Sequence, residues 1–347
     1  MNLIEHGKSL KELNWWKVGG VAKNFAAPRT IAELKEAWSW ALQRQLKIWV
    51  ISGGSNVLIQ DGELDGFLLS THALVGVERA GRAQLESSSA GSGSVADSGP
   101  VAGSDPGTGS GPVMGGGLGE HFVIRALAGT PKSEAAKLFL QNKLAPAIFL
   151  TGIPGDVGAG VVMNAGIGEQ RTPREFCEIV HAVEVLRLSS DPIDSRDVVV
   201  EEDSQFRCIR RRGSDIDWQY RHSSGWQPGI ISSVELAWPF APDATVLDEV
   251  RAQTKKRVST QPLDKPNCGS VFRNPAGQKS AQLIESCGLK GFRVGGASVS
   301  MKHSNFIINE GNATARDVKS VIDHVRATVL RDRGVELRTE VIFIGEI

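Results

Sequence analysis

Ile48-Trp49-Val50-Ile51-Ser52-Gly53-Gly54-Ser55-Asn56-Val57-Leu58-Ile59 reads as a short apolar strand, a tight turn and a second apolar run. Adjacent glycines let backbone N–H groups approach an anion closely, and Ser55 and Asn56 bring further donors. The turn differs from the dinucleotide fingerprint GxGxxG, which must open a helix. Taken alone, Gly53-Gly54-Ser55-Asn56 is as compatible with a plain reversal of the chain as with a phosphate cradle.

A second segment changes the balance. Thr151-Gly152-Ile153-Pro154-Gly155-Asp156-Val157-Gly158-Ala159-Gly160 leads into Met163-Asn164-Ala165-Gly166, with small residues throughout and scarcely any long polar side chain. One reading is a Gly-rich packing turn. The other is a backbone surface that lies flat against a large cofactor. Only the pairing of both segments in one chain makes a pyrophosphate-and-ring site credible. Its candidate contacts are Gly53, Gly54, Ser55 and Asn56 on one side, and Gly152, Ile153, Pro154, Gly155, Gly158 and Asn164 on the other.

Around these segments strands and helices interleave. Thr30 with Glu33 makes a capping-box signature ahead of Ile31, Leu34, Trp38, Ala41 and Leu42 at helical spacing. His121 to Ala128 reads as a strand, and Thr130 as the cap of a helix with Pro131 at its first position. Ser280 to Cys287 reads as a helix closed by Gly288, and Phe306 to Asn309 as a strand. Thr314 starts a long helix with the stripe Val318, Val321, Ile322, Val325, Val329 and Leu330, and Val335 to Ile344 reads as a final strand. The fold class is α+β. Ser87 to Gly117 is almost entirely Gly, Ser, Pro, Ala and Asp, so its ordering entropy has no burial to offset it, and a flexible insertion between two strands is expected. Deleting Ser89 to Gly115 should leave turnover within about threefold, since closure cost varies slowly with loop length. A large rise in substrate KM in steady-state assays would instead mark the segment as a lid.

Composition narrows the function classes. With 39 basic and 39 acidic residues in 347, sequence-independent nucleic-acid binding is a poor fit. The local cluster Arg207 to Arg212 reads as a solvated face or a phosphate-facing patch. Cys177, Cys208, Cys268 and Cys287 form no CxxC pair, which argues against zinc and against a disulfide framework. Neither a signal-peptide core nor a membrane-spanning run is present in the sequence, so a reduced, cytoplasmic location is expected. No metal is expected.

Three further features carry possible chemistry. In Tyr220-Arg221-His222-Ser223, Tyr220 is the only tyrosine and Arg221 offers a planar fork suited to a carboxylate, though a surface arginine beside an aromatic reads the same way. In Asn267-Cys268-Gly269-Ser270-Val271-Phe272-Arg273-Asn274-Pro275, Ser270 could expose its hydroxyl at a strand start. The segment lacks the GxSxG elbow of a hydrolase, and His222 and His303 read as structural histidines. Glu340 alternates onto the face of Arg338 and Ile342. Desolvation there would make it a proton donor, while exposure would leave it an ordinary carboxylate paired with Arg338.

Together, in order, these segments resemble the UDP-N-acetylenolpyruvoylglucosamine reductase family. The match runs from Trp16-Lys17-Val18-Gly19-Gly20 through both glycine segments, Tyr220 to Ser223, Gln261-Pro262 and Gly269 to Pro275. It ends with Ser300-Met301-Lys302-His303, Ala313-Thr314-Ala315 and Glu340-Val341, and the Ser-x-Lys-His segment and spacing are similar to the type II branch. Three positions depart from the family pattern: Ser52 where a third glycine is usual, Trp15 where a threonine is usual, and no aromatic near Ile167.

The resemblance implies a two-lobe FAD-binding domain of the p-cresol methylhydroxylase type over 1–85 and 118–237, the insertion at 87–117, and a substrate-binding domain over 240–347. It implies non-covalent FAD, NADPH as reductant, UDP-N-acetylglucosamine enolpyruvate as substrate and a monomer in the cytoplasm. By motif position Ser270 resembles the proton donor, Arg221 and Glu340 the other two catalytic groups, and Tyr220 and Asn274 the substrate contacts. Another flavin oxidoreductase of the same superfamily would share the glycine segments without needing Tyr220–Ser223, Ser270 and Glu340. A catalytically silent flavin-binding protein would keep the fold without turnover.

Overall fold

The computed structural model describes residues 3–86, 118–168 and 172–346; the segment 87–117 lies outside them. The first lobe comprises β1 (Glu5–Ser9), β2 (Val21–Ala26), α1 (Ile31–Gln43), β3 (Ile48–Ile51), β4 (Val57–Ile59) and β5 (Glu63–Ser70). Four of its strands form a sheet in the order β1-β2-β5-β3, covered by Leu34, Ala37, Trp38 and Ala41 of α1. Thr30 caps α1 by accepting from the Glu33 N–H at 3.1 Å. The Glu33 carboxylate reaches one residue past the box, to the Arg29 N–H at 2.6 Å.

β3 and β4 are not a hairpin. β3 pairs in parallel with β5, whereas β4 pairs in parallel with β17 (Ile342–Ile344) at the far end of the described chain. The turn 52–56 therefore hands the chain from one sheet to another. Gly54 makes this possible with φ +64°, and a side chain there would strike the Leu13 carbonyl.

The second lobe is built on β6 (Val77–Glu86), β7 (Leu118–Leu127), β8 (Val180–Leu188), β9 (Val198–Glu202), β10 (Phe206–Arg212) and β13 (Ile230–Pro239). These form an antiparallel sheet in the order β6-β7-β13-β8-β10-β9, with Glu86 opposite Leu118. Helices α2 (Lys132–Gln141), α3 (Pro146–Thr151), α4 (Val157–Val162) and α5 (Val246–Thr260) accompany it, and the short ribbon β11 (Asp217–Gln219) and β12 (His222–Ser224) crosses beside α4. α5 lies beyond residue 240 in sequence, yet it buries Val246 and Val250 in this lobe's core, among residues such as Phe149 and Val183.

Two local expectations are corrected here. Pro131, not Thr130, occupies the cap position of α2, because its ψ of 137° is extended. The Thr130 hydroxyl is committed instead to the Gly76 N–H at 3.1 Å and the Gly76 carbonyl at 3.0 Å. Of the β10 arginines only Arg212 is a solvated charge; the other three are paired with carboxylates, not gathered in a phosphate patch. Arg207 pairs with Glu202 at 2.6 Å, Arg210 with Glu235 at 2.8 Å, and the buried Arg211 shares the fully buried Asp197 with Arg187.

The third lobe contains α6 (Ser280–Ser286), β14 (Arg293–Val294), β15 (Ala297–Val299), β16 (Ile307–Asn309) and α7 (Ala315–Arg333). α7 opens with a reciprocal Thr314/Asp317 capping box and closes on Gly334 at φ +69°. Its stripe Val318, Val321, Ile322, Val325 and Val329 packs in one core with Trp16, Val18 and Leu58 from the first lobe. The Trp16 indole donates to the Ile307 carbonyl at 2.7 Å, tying the lobes together. The expected strand 335–344 is regular only over Ile342–Ile344, where β4 supplies a partner. Upstream, Thr339 bridges Phe272 and the Glu340 N–H donates to the Val271 carbonyl at 2.8 Å. Among the described residues no helix is long and apolar enough to cross a membrane.

Candidate active site

A cavity of about 1010 Å³ opens where the lobes meet. One wall carries Gly53, Gly54, Ser55, Asn56, Gly152, Ile153, Pro154 and Gly158; the other carries Tyr220, Arg221, Ser270, Asn274 and Glu340. The chain thus brings together nearly all the residues singled out from sequence. Gly155 and Asn164 do not line this space.

The glycine wall is set by backbone geometry. The second loop is stitched to the corner between β7 and α2 by Val157 N–H to Thr130 O at 2.9 Å, Gly158 N–H to Ala128 O at 2.8 Å and Lys132 N–H to Gly155 O at 2.9 Å. Gly155 has φ +87°, and a Cβ there would lie 2.7 Å from the Ser55 hydroxyl, so the two loops touch at this point. The Gly54 and Asn56 carbonyls accept from Trp15 and Ile342, while among the described residues no internal acceptor is seen for the N–H groups of Gly53 to Asn56. Such a set of N–H groups is suited to an anion. The Asn56 amide donates to the Glu340 carbonyl at 2.9 Å and so couples the two walls.

Asn164 serves the opposite wall from behind. It is buried, accepts from the Cys177 N–H at 3.0 Å, and donates to Glu175 and to the Gln219 carbonyl, each at 3.1 Å. These bonds fix the loop on which Arg221 rests. The Arg221 guanidinium donates to the Gly166 carbonyl at 2.8 Å, sits 3.4 Å from Glu175 and lies 4.7 Å from the Tyr220 ring centre. Its Nε is 3.6 Å from Oε2 of Glu340.

Glu340 is not the exposed partner of Arg338. Burial pushes its carboxyl up to about 7, a rise only partly offset by the guanidinium groups of Arg221 and Arg273. Ser270 is half-buried in an extended strip between Gly269, at φ +76°, and Val271. Val271 donates to the Asn305 carbonyl and accepts from Glu340, which sets the Ser270 and Glu340 segments side by side. Asn274 is exposed at the rim, and its Oδ1 accepts from the Ser280 N–H at 3.0 Å at the start of α6. His303 lies on the cavity wall with Nδ1 3.3 Å from the Asn305 N–H.

Sequence reasoning missed Lys132, Asp156, His72 and Glu175. Lys132 is buried, donates to the Pro154 carbonyl at 2.8 Å, and burial pulls its ammonium down to about 8. Asp156 was visible as the one carboxylate within a loop of small residues, a signal that could have been used.

Comparison with known proteins matches residues 22–91 to the model described as FAD binding domain. Residues 261–344 match the model described as UDP-N-acetylenolpyruvoylglucosamine reductase, C-terminal domain. The UDP-N-acetylenolpyruvoylglucosamine reductase of Synechococcus sp. (strain RCC307) is 35% identical over 341 residues, covering 97% of this chain and 92% of its own length. The chain belongs to the UDP-N-acetylenolpyruvoylglucosamine reductase family. The family member of Moorella thermoacetica is 34% identical over 334 residues, covering 95% of this chain and 90% of its own. The crystal structure of the Thermus caldophilus enzyme aligns with a TM-score of 0.67 at 24% identity over 99% of each chain, a likeness of fold.

The fold is therefore α+β, with the FAD-binding match enclosing the glycine turn and the C-terminal match enclosing Ser270, Asn274 and Glu340. The residues present suit FAD. The cavity is at the upper end of the usual range for ligand sites, its glycine wall offers backbone donors to a pyrophosphate, and its small side chains leave room for a flat ring.

Proposed function

We propose that this chain reduces the enolpyruvyl double bond of UDP-N-acetylglucosamine enolpyruvate to give UDP-N-acetylmuramate, a peptidoglycan precursor, with NADPH as reductant. The observation that carries the reading is the Arg221–Glu340 pair beside the Ser270 strip, facing two glycine loops across one cavity. FAD, when bound along Gly53–Asn56 and Gly152–Gly158, supplies the carrier that takes hydride from NADPH and later gives it to the substrate.

The protein's own groups do the rest. Arg221, anchored by Gly166 and Glu175, holds the substrate carboxylate and offsets the charge that builds on it. Glu340 holds its proton through the acid side of neutrality and donates a hydrogen bond to the same carboxylate. Ser270 Oγ–H gives its proton to the carbon next to that carboxylate and sets its configuration. Tyr220 and Asn274 flank the substrate from the exposed rim. Cys268 supports a non-covalent flavin: it lines the cavity, but burial pushes its thiol up to about 12, and a protonated thiol is a poor nucleophile. A monomer in the cytoplasm fits this reading, and light scattering tests the oligomeric state.

Purified protein should be yellow with one FAD per chain, and NADPH should bleach it. Reoxidation by the enolpyruvyl nucleotide, measured anaerobically, is the expected result. Reoxidation by oxygen alone would favour another flavin oxidase, failure with both would favour a silent flavin protein, and a colourless protein that takes up no FAD would remove the whole reading.

A further inference from the structure

Ser52, the residue that departs from a three-glycine run, does not simply occupy space. Its hydroxyl donates to Oδ2 of Asp156 at 2.7 Å. The same oxygen lies 2.8 Å from Nδ1 of His72, which stands at the end of β5. Asp156 is buried, with its side chain 2% exposed, and it begins α4 directly after the second glycine loop. A Cβ on Gly53 would lie 3.0 Å from that carboxylate, so the anion sits immediately behind the first glycine turn. Three separate segments thus converge on one buried oxygen. Both donors point to the carboxylate and none is relayed through the histidine to the serine, so this is not the arrangement of a hydrolase triad.

We propose that Asp156 is a positioning residue that latches the first glycine turn, through Ser52, and the β5 end, through His72, to the second glycine loop, and so sets flavin affinity. The inference rests on the assignment of both loops to FAD. A buried carboxylate close to a pyrophosphate repels it unless neutralised, and the cations placed to do so are the His72 imidazolium, in direct contact, and the buried Lys132 ammonium near it. The carboxylate neighbour raises the His72 pKa above the ordinary value of 6.5, and the charged form is lost as pH rises through that raised value. The other charges facing the cluster are Lys132, on α2, and beyond it Arg221. Burial brings Lys132 down to about 8, toward the raised histidine, so the His72→Gln variant is what separates the two groups.

The test follows FAD release from purified holoenzyme by recovery of flavin fluorescence on dilution. Ser52→Ala should release FAD about tenfold faster, and Asp156→Asn about a hundredfold faster, as expected for charge-assisted hydrogen bonds. The double variant should be no worse than Asp156→Asn, because the serine acts through the aspartate. Wild-type release should quicken as pH rises through the raised pKa of His72, and His72→Gln should flatten that dependence. Flavin that remains bound in Ser52→Ala should be reoxidised by the enolpyruvyl nucleotide at the wild-type rate. Release within twofold of wild type for both Ser52→Ala and Asp156→Asn would overturn the latch while leaving the proposed reaction intact. Wild-type protein that holds no flavin would overturn both.

Discussion

Ser270→Ala should leave FAD binding and NADPH bleaching nearly unchanged while slowing reoxidation by the enolpyruvyl nucleotide about 10²–10⁴-fold, the usual contribution of a positioned acid. At about 1.36 kcal/mol per tenfold, this corresponds to roughly 3–5 kcal/mol of barrier. The asymmetry follows from position and from the proposed role: Ser270 lines the cavity on the wall opposite the glycine loops, and as the proposed proton donor it would act only after reduction of the double bond has begun. A serine with a structural role would behave differently, since its half-buried strip holds Val271 and through it Glu340. Its loss would then impair stability or both half-reactions together. Stopped-flow absorbance of the flavin separates the two steps. Wild-type reoxidation in the alanine variant would remove Ser270 from the chemistry.

The second large effect concerns Glu340→Gln. Burial raises the carboxyl from its ordinary 4.5 to about 7, so between those values the folded protein holds a proton that the unfolded chain has released. Stability attributable to this group is therefore greatest below the unfolded value, falls as pH climbs, and levels off above about 7. The span is worth on the order of 3 kcal/mol at about 1.36 kcal/mol per pKa unit. Glutamine cannot ionise, so the stability of the variant relative to its parent should improve by up to that amount between pH 5 and 8. Urea midpoints measured across that range decide it; a difference that stays constant with pH would mean Glu340 titrates normally. In the proposed reaction the same proton also governs turnover. Wild-type reoxidation should decline on the alkaline side of about 7, and the glutamine variant, which keeps an N–H donor, should lose that limb.

Local sequence chemistry made much of the frame legible. Thr314 starts the long α7, and of its expected stripe Val318, Val321, Ile322, Val325 and Val329 point at the core, while Leu330 at the end of the stripe is exposed. What sequence could not supply was pairing at a distance. The Val57–Ile59 run is a strand whichever partner it has, but that partner is Ile342–Ile344 and not its neighbour across the turn. The same limit misread the β10 arginines, because Arg211 is a surface charge until Asp197 is found beneath it. The residues that come to line one cavity were readable where backbone chemistry is distinctive, at Gly53–Asn56 and Gly152–Pro154, and through the ordered family motifs at Arg221, Ser270 and Glu340. Asn164, expected as a cofactor contact because it follows the loop in sequence, lies off the cavity lining, with its three hydrogen bonds going to Glu175, Cys177 and Gln219. Ser52, Asp156 and His72 escaped notice because only the folded chain brings them to one oxygen.

The pairing of β4 with β17 also orders events during synthesis. Asn56 is held to Glu340 across 284 residues of chain, and Ile342 closes on the carbonyl of that same asparagine. A ribosome therefore exposes the first lobe long before the strand that braces its glycine turn has been made. Contacts so remote in sequence close late, after many others are in place. The nascent chain should acquire its sheets first and a competent nucleotide cradle last, so premature termination just short of Ile342 would yield a shaped protein with an unbraced cradle.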